Sequence, residues 1–142
     1  MSVLPESARE LLESDALAHM VTLNRDGSPQ VTIVWVGLDG DEIVSAHLSR
    51  HQKVSNVECD SRVSISLEGK EANAMGLHHY LVVHGRARVT EGGAAELLQK
   101  LAETYIGPGV KFPRMPDPPP GYIIRLTPER ILGIGPWADG GR

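Results

Sequence analysis

Two cations set three residues apart carry the chemistry most readily read from this sequence: Arg50 and Lys53, in the stretch His47-Leu-Ser-Arg-His-Gln-Lys. On a helical turn such a pair shares one face, and its N–H donors can close together on one phosphate. Taken alone the pair also fits a solvated helix start. What precedes it gives it a setting. The segment Val31 to Asn56 reads as a hairpin of two apolar strands emptying into this basic turn. Val31, Ile33 and Trp35 alternate with Thr32, Val34 and Val36, so the first strand, Gln30 to Leu38, is apolar on both faces and reads as a central one. Asp39-Gly40-Asp41 supplies the turn, and Glu42 to Leu48 returns.

The remaining elements must position this turn. Pro5 to Ser14 is expected as a short lid helix, since proline suits a first turn and Ala8, Leu11 and Leu12 form a stripe. Ala16 to Leu23 is a strand closed by Asn24-Arg25-Asp26-Gly27. Ser49 is expected to cap a helix through about Asp60, with Val54 and Val57 inward. Arg62 to Leu67 alternates at period two, and Gly69 to Leu77 reads as a nine-residue loop. His78 to Thr90 is the longest strand, broken at Gly85 where a bulge fits. Gly93 to Ile106 is an amphipathic helix through Leu97, Leu98, Leu101 and Tyr105. The proline-rich run GPGVKFPRMPDPPPG, 107–121, is expected as an extended arm or mobile loop. Tyr122 to Leu126 and Ile131 to Trp137 are two closing strands around Thr127-Pro128-Glu129. Seven short strands joined mostly by tight turns predict a mainly β fold, an antiparallel barrel with a few helices, in one domain spanning 1–142.

Composition narrows the function. The chain has 142 residues, 14 Lys+Arg against 18 Asp+Glu and a formal charge of -4, which argues against a general nucleic-acid binder. The one cysteine, Cys59, rules out an internal disulfide, and no paired Cys/His spacing supports a metal site. His79 and His84 have opposite strand parity, so the histidines of this strand do not form one ligand set. With no apolar run of about 20 residues and no leader pattern in Met1 to Ala18, a cytoplasmic protein without a membrane span is expected.

TLNRDGSPQVTIVW, followed by a strand ending shortly before Arg-x-x-Lys, then by a long strand carrying His79-Tyr80 and Gly85-Arg86, resembles the split β-barrel flavin-binding family. That family includes pyridoxamine 5'-phosphate oxidases and the deazaflavin-dependent reductases of actinobacteria. The resemblance runs from Leu11 to Trp137, and SPQVTIVW is most similar to the branch using coenzyme F420. It implies an FMN-binding-type split barrel, homodimeric, with two cofactor sites at the dimer interface. It implies that Gln30, Val31, Thr32, Ile33 and Val34 run along the cofactor ring and that Ser49, Arg50 and Lys53 take its phosphate, with Asn56 one turn beyond. It implies that His79 and Tyr80 come from the second subunit, where either could donate a proton. The implied activity is hydride transfer between F420 and a small conjugated or quinone-like substrate. FMN in place of F420, or a non-enzymatic flavin- or haem-binding protein on the same barrel, are the alternatives. F420 carries an oligoglutamate tail, for which His51 and Arg62 are the candidate extra cations. The chain ends LGIGPWADGGR, without the Trp-Arg-Leu pattern of true pyridoxamine phosphate oxidases, which argues against oxidation of pyridoxamine phosphate.

Overall fold

The computed structural model describes residues 3–138. In chain order the elements are α1 (Glu6–Leu12), β1 (Ala18–Leu23), β2 (Pro29–Val34), β3 (Gly37–Asp39), β4 (Glu42–His47), α2 (Gln52–Cys59), β5 (Arg62–Ala72), β6 (His78–Glu91), α3 (Ala94–Tyr105) and β7 (Tyr122–Ile134). All seven strands belong to one antiparallel sheet in the order β2-β1-β5-β6-β7-β4-β3. Its two outer strands, β2 and β3, are consecutive in the chain and separated by Trp35 and Val36 alone. Three residue steps span at most about 10 Å, so the ends of the sheet must curl toward each other. The result is a split barrel.

The expected strand Gln30 to Leu38 is therefore two strands, and it lies at the sheet's edges rather than its centre. The break has a cause far along the chain. The Val36 N–H, instead of joining a ladder, donates to the hydroxyl of Tyr105 at 3.1 Å, and that hydroxyl lies 2.9 Å from the carbonyl oxygen of Ala16. Trp35 stacks on the Tyr105 ring, with centroids 5.3 Å apart and planes 8° from parallel. The end of α3 thus fixes the point where the strand divides. The expected hairpin through Asp39-Gly40-Asp41 survives in its last residues, where β3 pairs with β4, while β2 pairs with β1 instead.

At the other end, the two closing strands are one. β7 runs unbroken opposite the 14 residues of β6, and the register slips by one residue between His84 and Gly85, leaving Glu129 unpaired. Pro128, which has no N–H to donate, sits at this bulge. A Cβ on Gly85 would collide with the carbonyl oxygen of Thr127, so glycine permits the close approach that bends both strands. β5 also outruns its expected end, continuing to Ala72 past an irregularity after Glu68. The loop shrinks to a turn in which Asn73 Oδ1 accepts the N–H groups of Met75 at 2.9 Å and Leu77 at 3.0 Å.

Inside the barrel, alternate residues of β5 and β6 (Val63, Ile65, Leu67, Leu81, Val83) pack with Ile124 and Leu126 of β7. Leu12 and Ala8 of α1 and Val54 of α2 join the same core. Burial of these aliphatic groups supplies the main driving force for folding. Among the described residues no helix is long and apolar enough to cross a membrane.

Candidate functional site

A cavity of about 330 Å³ opens where β2 ends, β4 ends and α2 begins. Ile33, Val34 and Trp35 form one wall, Ala46, His47 and Leu48 a second, and His51 and Lys53 a third. Leu98 of α3 and Phe112 close it. Its size lies at the lower end of small-molecule sites. Other grooves on the chain are comparable or larger, but this one joins the basic turn to the expected ring-binding strand.

The two cations of the turn have different fates. Arg50 precedes the helix: α2 starts at Gln52 with His51 at its N-cap, and no side chain caps it. Ser49 is not the cap, and its hydroxyl instead lies 3.2 Å from His51 Nε2. The Arg50 guanidinium is bound by both carboxylate oxygens of Glu58, and its central carbon lies 5.0 Å from the ring centroid of Tyr122. The expected shared helical face is thus replaced by an occupied Arg50 and a separate Lys53. Lys53 is half-buried and makes no ion pair among the described residues, and burial lowers the pKa of its ammonium. A desolvated cation without a partner raises the free energy of the empty site and is stabilised by an arriving anion.

His47 is nearly fully buried, with 6% of its surface exposed, and its Nε2 lies 2.9 Å from the Ser45 hydroxyl. Burial first, then the charges of Lys53 and His51, push its pKa down to about 3, so the imidazole is neutral near pH 7. It is both a satisfied strand-end residue and part of the cavity wall. Thr32 adds a second orphan: its Oγ1 is buried and has no hydrogen-bond partner. It stands two residues before Val34 on the same side of β2, the side turned away from exposed Val31 and Ile33. Thr32, like Gln30 and Val31, does not line the cavity, so the unpaired Lys53 ammonium is the group there that fits a phosphorylated cofactor.

Other expected residues have structural partners. Asn56 is buried, and its Nδ2 donates to Thr22 Oγ1 at 3.0 Å and to Asn24 Oδ1 at 2.8 Å, while its Oδ1 accepts from Gln52 Nε2 at 2.8 Å. Gln30 Oε1 accepts from the Thr22 hydroxyl at 3.3 Å. These two amides tie the β1–β2 hairpin to α2, which places β2 beside the basic turn. Arg62 does not join the cavity. It grips Asp60 through two contacts of 3.1 and 2.8 Å and faces a groove with His84 and Arg86.

His79 and Tyr80 stand elsewhere in the same chain. Tyr80, 41% exposed, lines a groove with Leu132 and Trp137, and its backbone carbonyl accepts from Trp137 Nε1 at 3.0 Å. His79 meets the Trp137 ring edge-on at 5.8 Å. Neither lines the Lys53 cavity, so one chain alone does not assemble the expected site. Among the described residues no cluster could hold a metal ion. Trp35, Leu98 and Phe112 were not expected to wall the cavity. The signal for Phe112 was faint: it is the chain's single phenylalanine, and it lies among prolines.

A family profile described as pyridoxamine 5'-phosphate oxidase matches residues 4–135. The chain belongs to this family. A solved structure named F420 reductase is 27% identical and superimposes with a TM-score of 0.73, over 91% of this chain and 98% of that one. A conserved hypothetical protein from Mycobacterium tuberculosis is 22% identical with a TM-score of 0.69, over 92% of this chain and 84% of that one. HupZ from Group A Streptococcus is 20% identical with a TM-score of 0.64, over 97% and 99% of the two chains. The last two show the fold alone. A search of curated proteins finds no match. Family membership and the F420 reductase likeness support an oxidoreductase of this fold that takes a flavin or deazaflavin. Belonging to the family does not make the substrate pyridoxamine phosphate.

Proposed function

We propose that the protein is a coenzyme F420-dependent oxidoreductase, working as a cytoplasmic homodimer, that passes a hydride between the deazaflavin and a small conjugated or quinone-like substrate. The observation that carries this reading is Lys53, a half-buried ammonium with no ion pair among the described residues, lining the cavity beside the end of β2. Likeness to the structure named F420 reductase favours the deazaflavin. Lys53 would hold the phosphate with help from Ser49 and His51, while Arg50 braces the turn through Glu58. Val34 and the backbone of Gln30, Val31, Thr32 and Ile33 would supply the ring's flat support. The cofactor itself supplies the hydride chemistry, so the protein's tasks are to bind, orient and exclude water.

A second copy completes the arrangement. Val31 and Ile33 are 60% and 59% exposed on the edge strand β2. Register places Ile33, His19, Ser66, Val82 and Leu132 in one row across the outer face of five strands, without a charged carboxylate or ammonium among them. Exposed apolar edges of this kind are normally covered, and a second chain docking here would bring its His79 and Tyr80 toward the cofactor. Either could then hold the proton that accompanies the hydride. Cys59 is exposed and unpaired, which suits a reducing cytoplasm.

FMN is the second reading, and one observation favours it. Arg62 is committed to Asp60 and Arg50 to Glu58, so neither of these two cations is free to take an oligoglutamate tail. Paired fluorescence titrations with F420 and FMN in one buffer test both readings, followed by turnover of reduced cofactor against a panel of acceptors. Low-micromolar F420 binding with much weaker FMN binding, and reduction of an acceptor, is the expected result. Tighter FMN binding would overturn the deazaflavin assignment, and tight binding without any turnover would leave a non-enzymatic flavin- or haem-type binding protein.

A further inference from the structure

The proline-rich segment is not a loose arm near its start. The N–H of Phe112 donates to Gln99 Oε1 at 3.0 Å, and Gln99 Nε2 donates to the carbonyl oxygen of Val110 at 2.7 Å, so one α3 side chain grips the segment on both sides of Lys111. So held, the Phe112 ring meets Trp35 with centroids 5.2 Å apart and planes tilted by 54°, and Trp35 rests on Tyr105. Leu98, the residue before Gln99, reaches the same cavity. The cavity is therefore lined by two unlike sets of side chains, Lys53 with His51, and the aromatic pair Trp35 and Phe112 with Leu98.

We propose that Phe112, positioned by Gln99, is a specificity-determining wall of the cofactor cavity. It favours a ligand whose phosphate is followed by a neutral ring or chain, and it disfavours a second anionic group on that side. The physical ground is desolvation: an aromatic wall gains free energy against an apolar or π surface, whereas a carboxylate pressed against the Phe112 ring face gives up water that the ring does not replace. An anionic tail must accordingly leave by the cavity's open mouth. This inference rests on the cofactor reading above.

The test titrates the full-length protein with FMN, with F420 and with inorganic phosphate, the last by competition. Wild type is compared with Phe112→Ala, Phe112→Tyr and Gln99→Ala. Phe112→Ala is expected to weaken the preferred ring-bearing cofactor about tenfold while leaving phosphate binding unchanged, and Phe112→Tyr to restore it. Gln99→Ala touches no cavity surface, yet it is expected to reproduce the loss in the same ligand-selective way. Cofactor affinity unchanged in Phe112→Ala, or a parallel loss for cofactor and phosphate, would overturn the wall assignment while the cofactor reading stands. A wild type that binds phosphate but neither cofactor would overturn both.

Discussion

Replacing Lys53 by alanine removes the site's unpaired, half-buried cation, and the consequence can be sized from its surroundings. A solvent-exposed ion pair contributes about 0–1 kcal/mol because water and salt screen it. Lys53 is half-buried, its pKa is lowered by that burial, and no carboxylate neutralises it among the described residues. Its bond to a phosphate therefore belongs with charge-assisted hydrogen bonds, at about 1.5–3 kcal/mol. At about 1.4 kcal/mol per tenfold, the dissociation constant should rise by about 10- to 150-fold. Arg50→Ala is the informative control. Because Glu58 and the Tyr122 ring already engage Arg50, its loss should weaken binding by no more than about threefold, in the range of an exposed pair. Fluorescence titration of both variants with F420 and FMN, after circular dichroism shows each folded, gives the two ratios. Lowered basicity adds a second signature. Wild-type affinity should begin to fall at a lower alkaline pH than an exposed lysine allows, and Lys53→Arg should remove that fall. An unchanged constant for Lys53→Ala, or an equal or larger loss for Arg50→Ala, would refute the assignment of Lys53 as the phosphate ligand.

Two further outcomes follow from the same structure. His47 is neutral when folded, with its pKa depressed to about 3, so below pH 6.5 the unfolded chain takes up a proton that the native one refuses. Stability is fully present above pH 6.5 and falls by about 1.4 kcal/mol per pH unit below it, about 2 kcal/mol by pH 5. Urea unfolding at several pH values should show this slope flattened in His47→Gln; identical slopes in variant and wild type would exclude His47 as its source. Ile33→Asp places a carboxylate on the exposed apolar row of β2 and should convert a wild-type dimer to monomer in light scattering, with loss of cofactor affinity. A monomeric wild type, or a variant that stays dimeric, would remove the proposed interface.

Where side-chain periodicity was strong, sequence and structure agree. The alternation of Arg62 to Leu67 became β5, and the stripe through Leu101 and Tyr105 became α3. His78 to Thr90 became β6, with its bulge at Gly85. These elements are set by local rules, a period of two or of about 3.6 and one residue without a Cβ, so a single stretch of chain specifies each. The resemblance to split-barrel flavin proteins was also legible, and the family match bears it out.

Residue patterning specifies a mainly β, antiparallel chain with a basic turn beside an apolar strand. Tertiary structure decided which parts of that description were one element and which were two. Gln30 to Leu38 divides because Val36 finds its acceptor on Tyr105, 69 residues away, and Tyr122 to Ile134 remains whole because β6 is long enough to pair with all of it. Only the folded chain separates Arg50 from Lys53, since Glu58 and Tyr122 claim the first and burial isolates the second. Both cations look alike in the sequence because local patterns record residue types and spacing. Which donor is left without a partner depends on contacts that folding alone brings together.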